Sequence, residues 1–290
     1  MEHQLWEAIV REVRQLDKSR RRTERGFTAG EIVLTWFWAV LHDRPVDWAC
    51  QRRNWPIHLR RWRVPSGSTV SRRLRSAEVR QLLGQLEARI LQPHAKHLVW
   101  LLDGKPLLTS RVSKDRQASA ARGMRGYKLH VLIDAEQRVQ TWRISPLGKD
   151  EKEMGRRLIR AARVQGYVVA DGNYDAAPLY DVCDQQGELQ LVAPLRACRT
   201  SVRRRRQAPG RRRAIARQDG LLERDKQFVN DLFRQRLAVE RYFGNLTSWS
   251  GGLKHLPPWV RTHRRVERWV QGKLILHALY RQLRSTTYAA

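Results

Sequence analysis

Two short, unbroken apolar runs constrain this chain more than anything else in it. Leu98-Val-Trp-Leu-Leu102 and Tyr167-Val-Val-Ala170 carry no charged residue on either face of an extended segment. A strand with one wet face alternates polar and apolar residues. A strand that does not alternate is covered on both sides, as in a sheet sandwiched between helices. Each run stops at an Asp-Gly pair, Asp103-Gly104 and Asp171-Gly172. Residues 127–134 and 139–145 read as two more strands across a short polar turn, and 189–193 as another. Helical patterns cover 152–164, 176–186, 228–246 and 264–283. The expected class is therefore α/β, a mixed sheet flanked by helices.

Ahead of residue 95 the pattern is purely helical and rich in tryptophan. Leu5, Ile9, Val13 and Leu16 recur at helical spacing. Thr28-Ala-Gly-Glu31 is a capping box before the apolar stretch 32–41. Residues 46–54 suggest a short third helix closed by Trp55-Pro56, and Pro65-Ser-Gly-Ser opens a helix running to about residue 91. Trp36 and Trp38 read as helix packing. The change of pattern predicts two domains, a helical one over 1–95 and a sheet domain over 96–290. The stretch 194–217, with ten arginines between Arg196 and Arg217 and no acid, reads as a loop or insertion reaching to about 225.

Charge narrows the partner. Lys and Arg number 57 against 28 Asp and Glu, a formal net charge of +29, which calls for a polyanion. Ribosomal and membrane-surface proteins can be as basic, so charge alone does not choose DNA. The longest apolar stretch, 32–41, is broken by Thr35 and is far short of the roughly 20 residues that span a bilayer. The opening MEHQLWEAIVRE has no signal-peptide core. Cys50, Cys183 and Cys198 form no CxxC pair, which suits a reducing compartment. His94 and His97 have no further ligand near them in sequence, so no zinc site is expected there. A cytoplasmic, DNA-associated protein is the expectation, with no membrane contact.

Ser68, Thr69, Ser71, Arg72, Arg73 and Arg75 crowd the first turns of the helix after Pro65. Hydroxyls suit phosphates and arginine forks suit guanine edges, as in a helix-turn-helix-like reader. A solvated helix with a serine cap explains the same residues. The tract Arg203, Arg204, Arg205, Arg206, Arg211, Arg212 and Arg213 reads as a phosphate clamp. Trp249, in a Ser-Trp-Ser-Gly-Gly loop, is either a base-stacking platform or packing for its own domain. Lys128 and His130 are open to two readings, phosphate contact or plain solvation.

A carboxylate at the rim of an apolar sheet is costly, and ligands of open α/β sheets gather at the strands' carboxyl ends. Asp103 and Asp171 therefore suggest a hard divalent cation, although either alone is also a turn residue. Glu240 lies four residues after Arg236 on one helix face, which an ordinary surface ion pair would also explain. The acids stand 68 residues apart from 103 to 171 and 69 from 171 to 240.

Taken together, Leu101-Leu-Asp103-Gly, Arg125-Gly-Tyr-Lys-Leu-His130, Val169-Ala-Asp171-Gly-Asn-Tyr-Asp175 and Arg236-Leu-Ala-Val-Glu240-Arg-Tyr-Phe make the chain resemble an insertion-sequence DDE transposase. The resemblance implies a ribonuclease-H-like catalytic core. It makes Asp103, Asp171 and Glu240 the catalytic triad, holding two Mg²⁺ or Mn²⁺ ions. It also implies double-stranded DNA partners, terminal inverted repeats and target DNA, with a homodimer acting on paired ends. Such proteins often show Tyr, Arg, Glu and Lys around the glutamate. Arg236 and Glu240 match, whereas Phe233 and Thr247 fall where Tyr and Lys are expected. Arg241 or Lys254 is the candidate for the missing charge. The alternatives are a metal-dependent nuclease without strand transfer and a catalytically inactive, domesticated DNA-binding protein.

Overall fold

A computed structural model describes all residues except 18–25, 61–62, 92–96, 110–112, 122, 196–206, 219–222 and 290. Two compact units emerge. The first combines Met1–Gln92 with Leu246–Val260 and Arg264–Ala290; the second comprises Pro93–Asn245 and Arg261–His263. The expected boundary near residue 95 marks the end of the first unit's opening segment. Assigning everything after it to the sheet domain needs correction, because most of the C-terminal tail belongs to the helical unit.

The helical unit shows why. Its helices are α1 (Glu2–Asp17), α2 (Ala29–Leu41), α3 (Val46–Ala49), α4 (Gly67–Arg73) and α5 (Ala77–Leu91). Every residue of α2 except Glu31 is buried. A helix apolar all round needs cover on all sides, and α1 and α5 cannot supply it alone. The last helix, α11 (His263–Ala289), provides the rest. A Cβ on its Gly272 would lie 2.6 Å from the Trp36 ring, so glycine permits the close crossing. Lys273, fully buried, is paired with Asp43 at 2.7 Å and donates to the Gly251 carbonyl. The Thr28–Glu31 capping box is present at both of its hydrogen bonds. Trp6, Trp38 and Trp55 pack into one cluster, Trp38 stacking on Trp55 at 4.9 Å.

The single helix expected from Pro65 to residue 91 is two. Ser66 caps α4, accepting from the Thr69 N–H. Ser76 donates to the Arg73 carbonyl and accepts from the Val79 N–H, closing α4 and opening α5. A hydroxyl that serves both backbone ends is a helix breaker and a cap at once.

The second unit is built on strands β1 (Val99–Leu108), β2 (Ser119–Ala121), β3 (Met124–Asp134), β4 (Val139–Pro146), β5 (Gly166–Ala170) and β6 (Leu189–Val192). Leaving aside the short β2, the order is β4-β3-β1-β5-β6. Strands β4, β3 and β1 pair antiparallel, and β1, β5 and β6 parallel. This is a ribonuclease-H-like mixed sheet. One face packs Trp100, Leu102, Leu132, Val168 and Ala170 against α6 (Glu151–Ala162) and α7 (Ala177–Gln185). No described helix is long and apolar enough to cross a membrane.

Three local expectations are corrected. Strand β1 does not stop at Leu102; it continues to Leu108 because Gly104–Leu108 stay paired with β3. The helix expected over 228–246 is two, α9 (Glu223–Gln235) and α10 (Leu237–Ser248). They are pinched at Arg236, where the Arg236 and Val239 amides bond three residues back rather than four. The supposed loop 194–217 contains a helix, α8 (Pro209–Gln218), with Gly210 and Ala214 buried.

Candidate active site

The pairing of β1 with β5 fixes the centre of the site. Its register ends at Leu102 opposite Ala170. Asp103 and Asp171 are the next residues, on neighbouring parallel strands about 4.8 Å apart. Leu102 and Ala170 belong to the face under α6 and α7, so by alternation both aspartates turn to the other face. The two strands then part. Asp103 continues along β3, opposite Val131, while Asp171 caps a short 3-10 turn by accepting the Asn173 N–H at 2.8 Å. The crevice opened there is where ligands of open α/β sheets bind.

Helix α10 meets β1 through Phe243. Lys105, two residues beyond Asp103, has its ammonium 5.7 Å from the Phe243 ring centroid. Glu240 lies three residues before Phe243 on α10, one turn away. Arg236 Nη2 donates to Glu240 Oε1 at 2.9 Å, the surface pair that sequence alone could also suggest. The pair is not isolated: the Arg236 charge is felt by Asp103 and Asp171 as well.

Electrostatics separates the acids. Burial pushes the Asp103 carboxyl above the usual carboxylate range, and the like charge of Asp171 adds to the rise; the Gly104 N–H, Arg236 and Lys128 oppose it. A desolvated carboxylate beside another is a poor resting state without a cation. Two carboxylates and a glutamate present only hard oxygen donors, the set that suits Mg²⁺ or Mn²⁺. The donor set fits such ions.

The surroundings were less legible. Tyr174, fully buried, has a hydroxyl without a hydrogen-bond partner among the described residues. Burial, then the charges of Glu151, Asp103 and Asp171, hold it as a neutral phenol well above its ordinary pKa. The signal was available in Asp171-Gly-Asn-Tyr174, but a buried donor beside acids cannot be told from a core tyrosine by spacing. Lys128 is paired with Glu151. His130 fits neither sequence reading. It is fully buried, shares a 2.9 Å hydrogen bond with Ser145 Oγ, and burial lowers its pKa to about 3. A neutral, enclosed imidazole cannot contact phosphate.

Several proposed DNA contacts are engaged elsewhere. Arg211 is clasped by Asp175 at 2.7 and 2.6 Å, and Arg213 is paired with Asp184 at 2.5 Å. Arg212 is exposed and forms no such ion pair among the described residues. Arg203, Arg204, Arg205 and Arg206 lie outside the described residues. Trp249 is buried and stacked on Tyr280 at 4.9 Å, so it offers no free face to a base. Arg73 donates to the Phe27 carbonyl and to Glu78. Ser68, Ser71, Arg72, Arg75, Arg241 and Lys254 are exposed, and Thr69 is half-buried.

Against known proteins, residues 94–279 match the model of the transposase DDE domain family. No curated protein matches. Among solved structures, the chain is similar to a piggyBac transposase synaptic complex with hairpin DNA, at 11% identity and a TM-score of 0.49, covering 98% of this chain and 73% of that one. It is also similar to the Mos1 transposase paired-end complex with the left transposon end, at 14% identity and a TM-score of 0.25, covering 82% and 83%.

Proposed function

This chain belongs to the transposase DDE domain family, and from that premise we propose that it is a DNA transposase whose catalytic acids are Asp103, Asp171 and Glu240. The observation that carries the reading is the strand register: Leu102 opposite Ala170 leaves two aspartates side by side where β1 and β5 part. The reaction is hydrolysis of a phosphodiester at an element end, freeing a 3′-hydroxyl, followed by attack of that hydroxyl on target DNA.

Asp103, Asp171 and Glu240 would hold two Mg²⁺ or Mn²⁺ ions. Bound there, such ions supply activation of the attacking oxygen and stabilisation of the leaving oxyanion. The protein's own part is to present ionised carboxylates, and protonation of Asp103, whose pKa is raised, removes one of the ligands. Arg236 holds Glu240 beside the aspartates and balances part of their charge. Lys105, its aliphatic stem half-buried and its ammonium over Phe243, lies on the same face and suits a scissile-strand phosphate. Tyr174 offers a neutral donor behind the carboxylates.

DNA is held by exposed cations of each unit: Arg72 and Arg75 with Ser68, Thr69 and Ser71 around α4, and Lys254 after α10, in the helical unit, and Arg241 and Arg212 in the sheet unit. Each phosphate neutralised makes affinity fall with salt. The partner DNA comprises the element's terminal inverted repeats and the target, engaged by a homodimer, and the protein works DNA-associated in the cytoplasm.

Asp171→Asn tests the assignment. The variant should bind end DNA as the parent does and lose Mg²⁺-dependent nicking by a hundredfold or more, on the order of the several kcal/mol that metal charge stabilisation supplies. Unchanged nicking would overturn it. A product assay on paired ends, scoring joined target, separates transposition from nicking alone.

A further inference from the structure

At the start of β1, upstream of Asp103, three side chains from two distant segments converge. His97 precedes β1 by two residues; Asp134 ends β3; Glu136 lies in the turn between β3 and β4. His97 Nε2 is 3.1 Å from Asp134 Oδ2 and 4.0 Å from Glu136 Oε2. One ligand atom from each of the three lies within 4.8 Å of the others. No ligand for His97 is visible from sequence spacing, because its neighbours here stand 37 and 39 residues downstream.

The second observation is what those atoms lack. Asp134 is fully buried. Its Oδ1 accepts the Arg138 N–H at 2.8 Å, but among the described residues its Oδ2 accepts no hydrogen bond, and the buried His97 Nε2 makes none either. The two atoms form an ion pair at 3.1 Å without the alignment of a hydrogen bond, and a cation seated between them would give each desolvated atom a ligand bond in its place. Zinc–nitrogen and zinc–oxygen bonds of about 2.0–2.1 Å give a tetrahedron with edges of about 3.3 Å. The separation of 3.1 Å already matches, and the 4.0 Å one needs only a small swing of the Glu136 carboxylate. An imidazole with two carboxylates suits Zn²⁺ better than Mg²⁺, which prefers an all-oxygen octahedron.

The rest of the surroundings agrees. The His97 ring stands edge-on to Trp100 at 6.0 Å, which fixes its orientation. Glu136 is half exposed and gives an ion a path from solvent. Glu136 is also paired with Arg138 at 2.6 Å, and that arginine, 40% exposed, is free to turn into water when a cation takes its place. His97 lies six positions before Asp103 along an extended segment, a reach of about 20 Å, so this is not the site of the triad.

We propose that His97, Asp134 and Glu136 bind one Zn²⁺ ion, with water as fourth ligand, and that the ion clamps the entry of β1 to the β3–β4 turn. The test uses the full chain carrying Asp103→Asn and Asp171→Asn, so that the other acids do not compete for metal. After chelator treatment it is titrated with Zn²⁺ against a chromophoric chelator. One equivalent should bind, and either Glu136→Gln or His97→Gln, added to that background, should weaken binding by about tenfold or more. The half-exposed Glu136 keeps the test sound if the His97 variant folds poorly. Zn²⁺ should raise the melting temperature of the background protein but not of these variants, and Co²⁺ should give the visible absorption of a tetrahedral site. No uptake by the background protein, or affinity unchanged by either added substitution, would overturn the proposal.

Discussion

Asp171 and Asp175 stand four residues apart and are handled in opposite ways. At the α7–α8 contact, Asp175 is fully buried and receives Arg211 through both Nε and Nη2, with the Tyr180 hydroxyl at 3.1 Å. At the sheet rim, Asp171 neighbours another acid, and the cation reaching both, Arg236, is shared with Glu240. In a chain carrying 57 basic residues, acids left without a dedicated arginine are the informative ones. Where charge is fully paired the acid serves the fold; where it is under-compensated the position suits a removable cation. The same contrast explains why Arg211 and Arg213, which look like DNA contacts in sequence, lock α8 onto α7 instead.

The largest expected effect attacks the paired side. Asp175→Ala leaves the guanidinium of Arg211, only 12% exposed, facing a hole. Breaking one partner of a buried pair costs about 3–5 kcal/mol. Chemical denaturation should show a loss of that size, and Arg211→Met added to Asp175→Ala should recover much of it. A loss under about 1 kcal/mol would mean the clasp is a surface pair, and the contrast with the rim would fail.

Next comes the rim. Asp103→Asn should reduce Mg²⁺-dependent nicking at least a hundredfold, about 2.7 kcal/mol of barrier. Its effect on stability should run the other way. The folded-state pKa of Asp103 lies above its unfolded value, so the fold favours the protonated form, and stability from this group is lost as pH rises through the raised pKa. Asparagine never ionises and keeps it. Thermal melting at neutral pH should therefore place the variant at or above the parent. A clear drop in melting temperature would show that Asp103 serves the fold, as Asp175 does.

These contrasts also mark what the sequence could and could not say. Buried strands were legible because an unbroken apolar run has one explanation, and the two Asp-Gly endings located the rim. The extension of β1 was hidden because Asp103-Gly104-Lys-Pro106 reads as a turn; only pairing with β3 keeps it extended. Helix α8 was hidden because an arginine run looks featureless until Asp175 and Asp184, some 30 residues earlier, supply its partners. The place of α11 was out of reach because its cover for Trp36 joins residues more than 230 positions apart. Glu240 was readable as a candidate, but Arg236 as the charge shared among three acids was not, since that depends on the pinch between α9 and α10.

A middle-sized effect concerns buried imidazoles that burial and a neighbouring like charge keep neutral. His130 stays neutral, its pKa lowered to about 3 by burial and by Lys128, and His277 in the helical unit is likewise lowered to about 3 by burial and Arg281. In the unfolded chain both titrate near 6.5. Below that pH the unfolded state takes up protons that the folded state refuses, so stability falls as pH drops towards about 3. The slope is at most about 1.4 kcal/mol per pH unit for each histidine. Denaturation midpoints measured between pH 7 and 5 should fall, and His130→Gln should flatten the part that belongs to the sheet unit. An equally steep profile in that variant would remove His130 from the account.

The smallest change expected in stability belongs to Glu240→Gln, and it is the sharpest probe of the rim. Glu240 is 53% exposed and Arg236 32%, so their pair is worth only about 0.3–0.5 kcal/mol. The melting temperature should move by about 1–2 °C or less. If Glu240 were simply half of that surface pair, nicking would change as little as the melting temperature. As the third metal-holding acid it should instead carry a loss comparable with Asp103→Asn, and the Mg²⁺ concentration for half-maximal nicking should rise in whatever activity remains. Two numbers from one variant, a negligible shift in melting and a large one in rate, place Glu240 with Asp103 and Asp171; matched small shifts place it among the ion pairs of the surface.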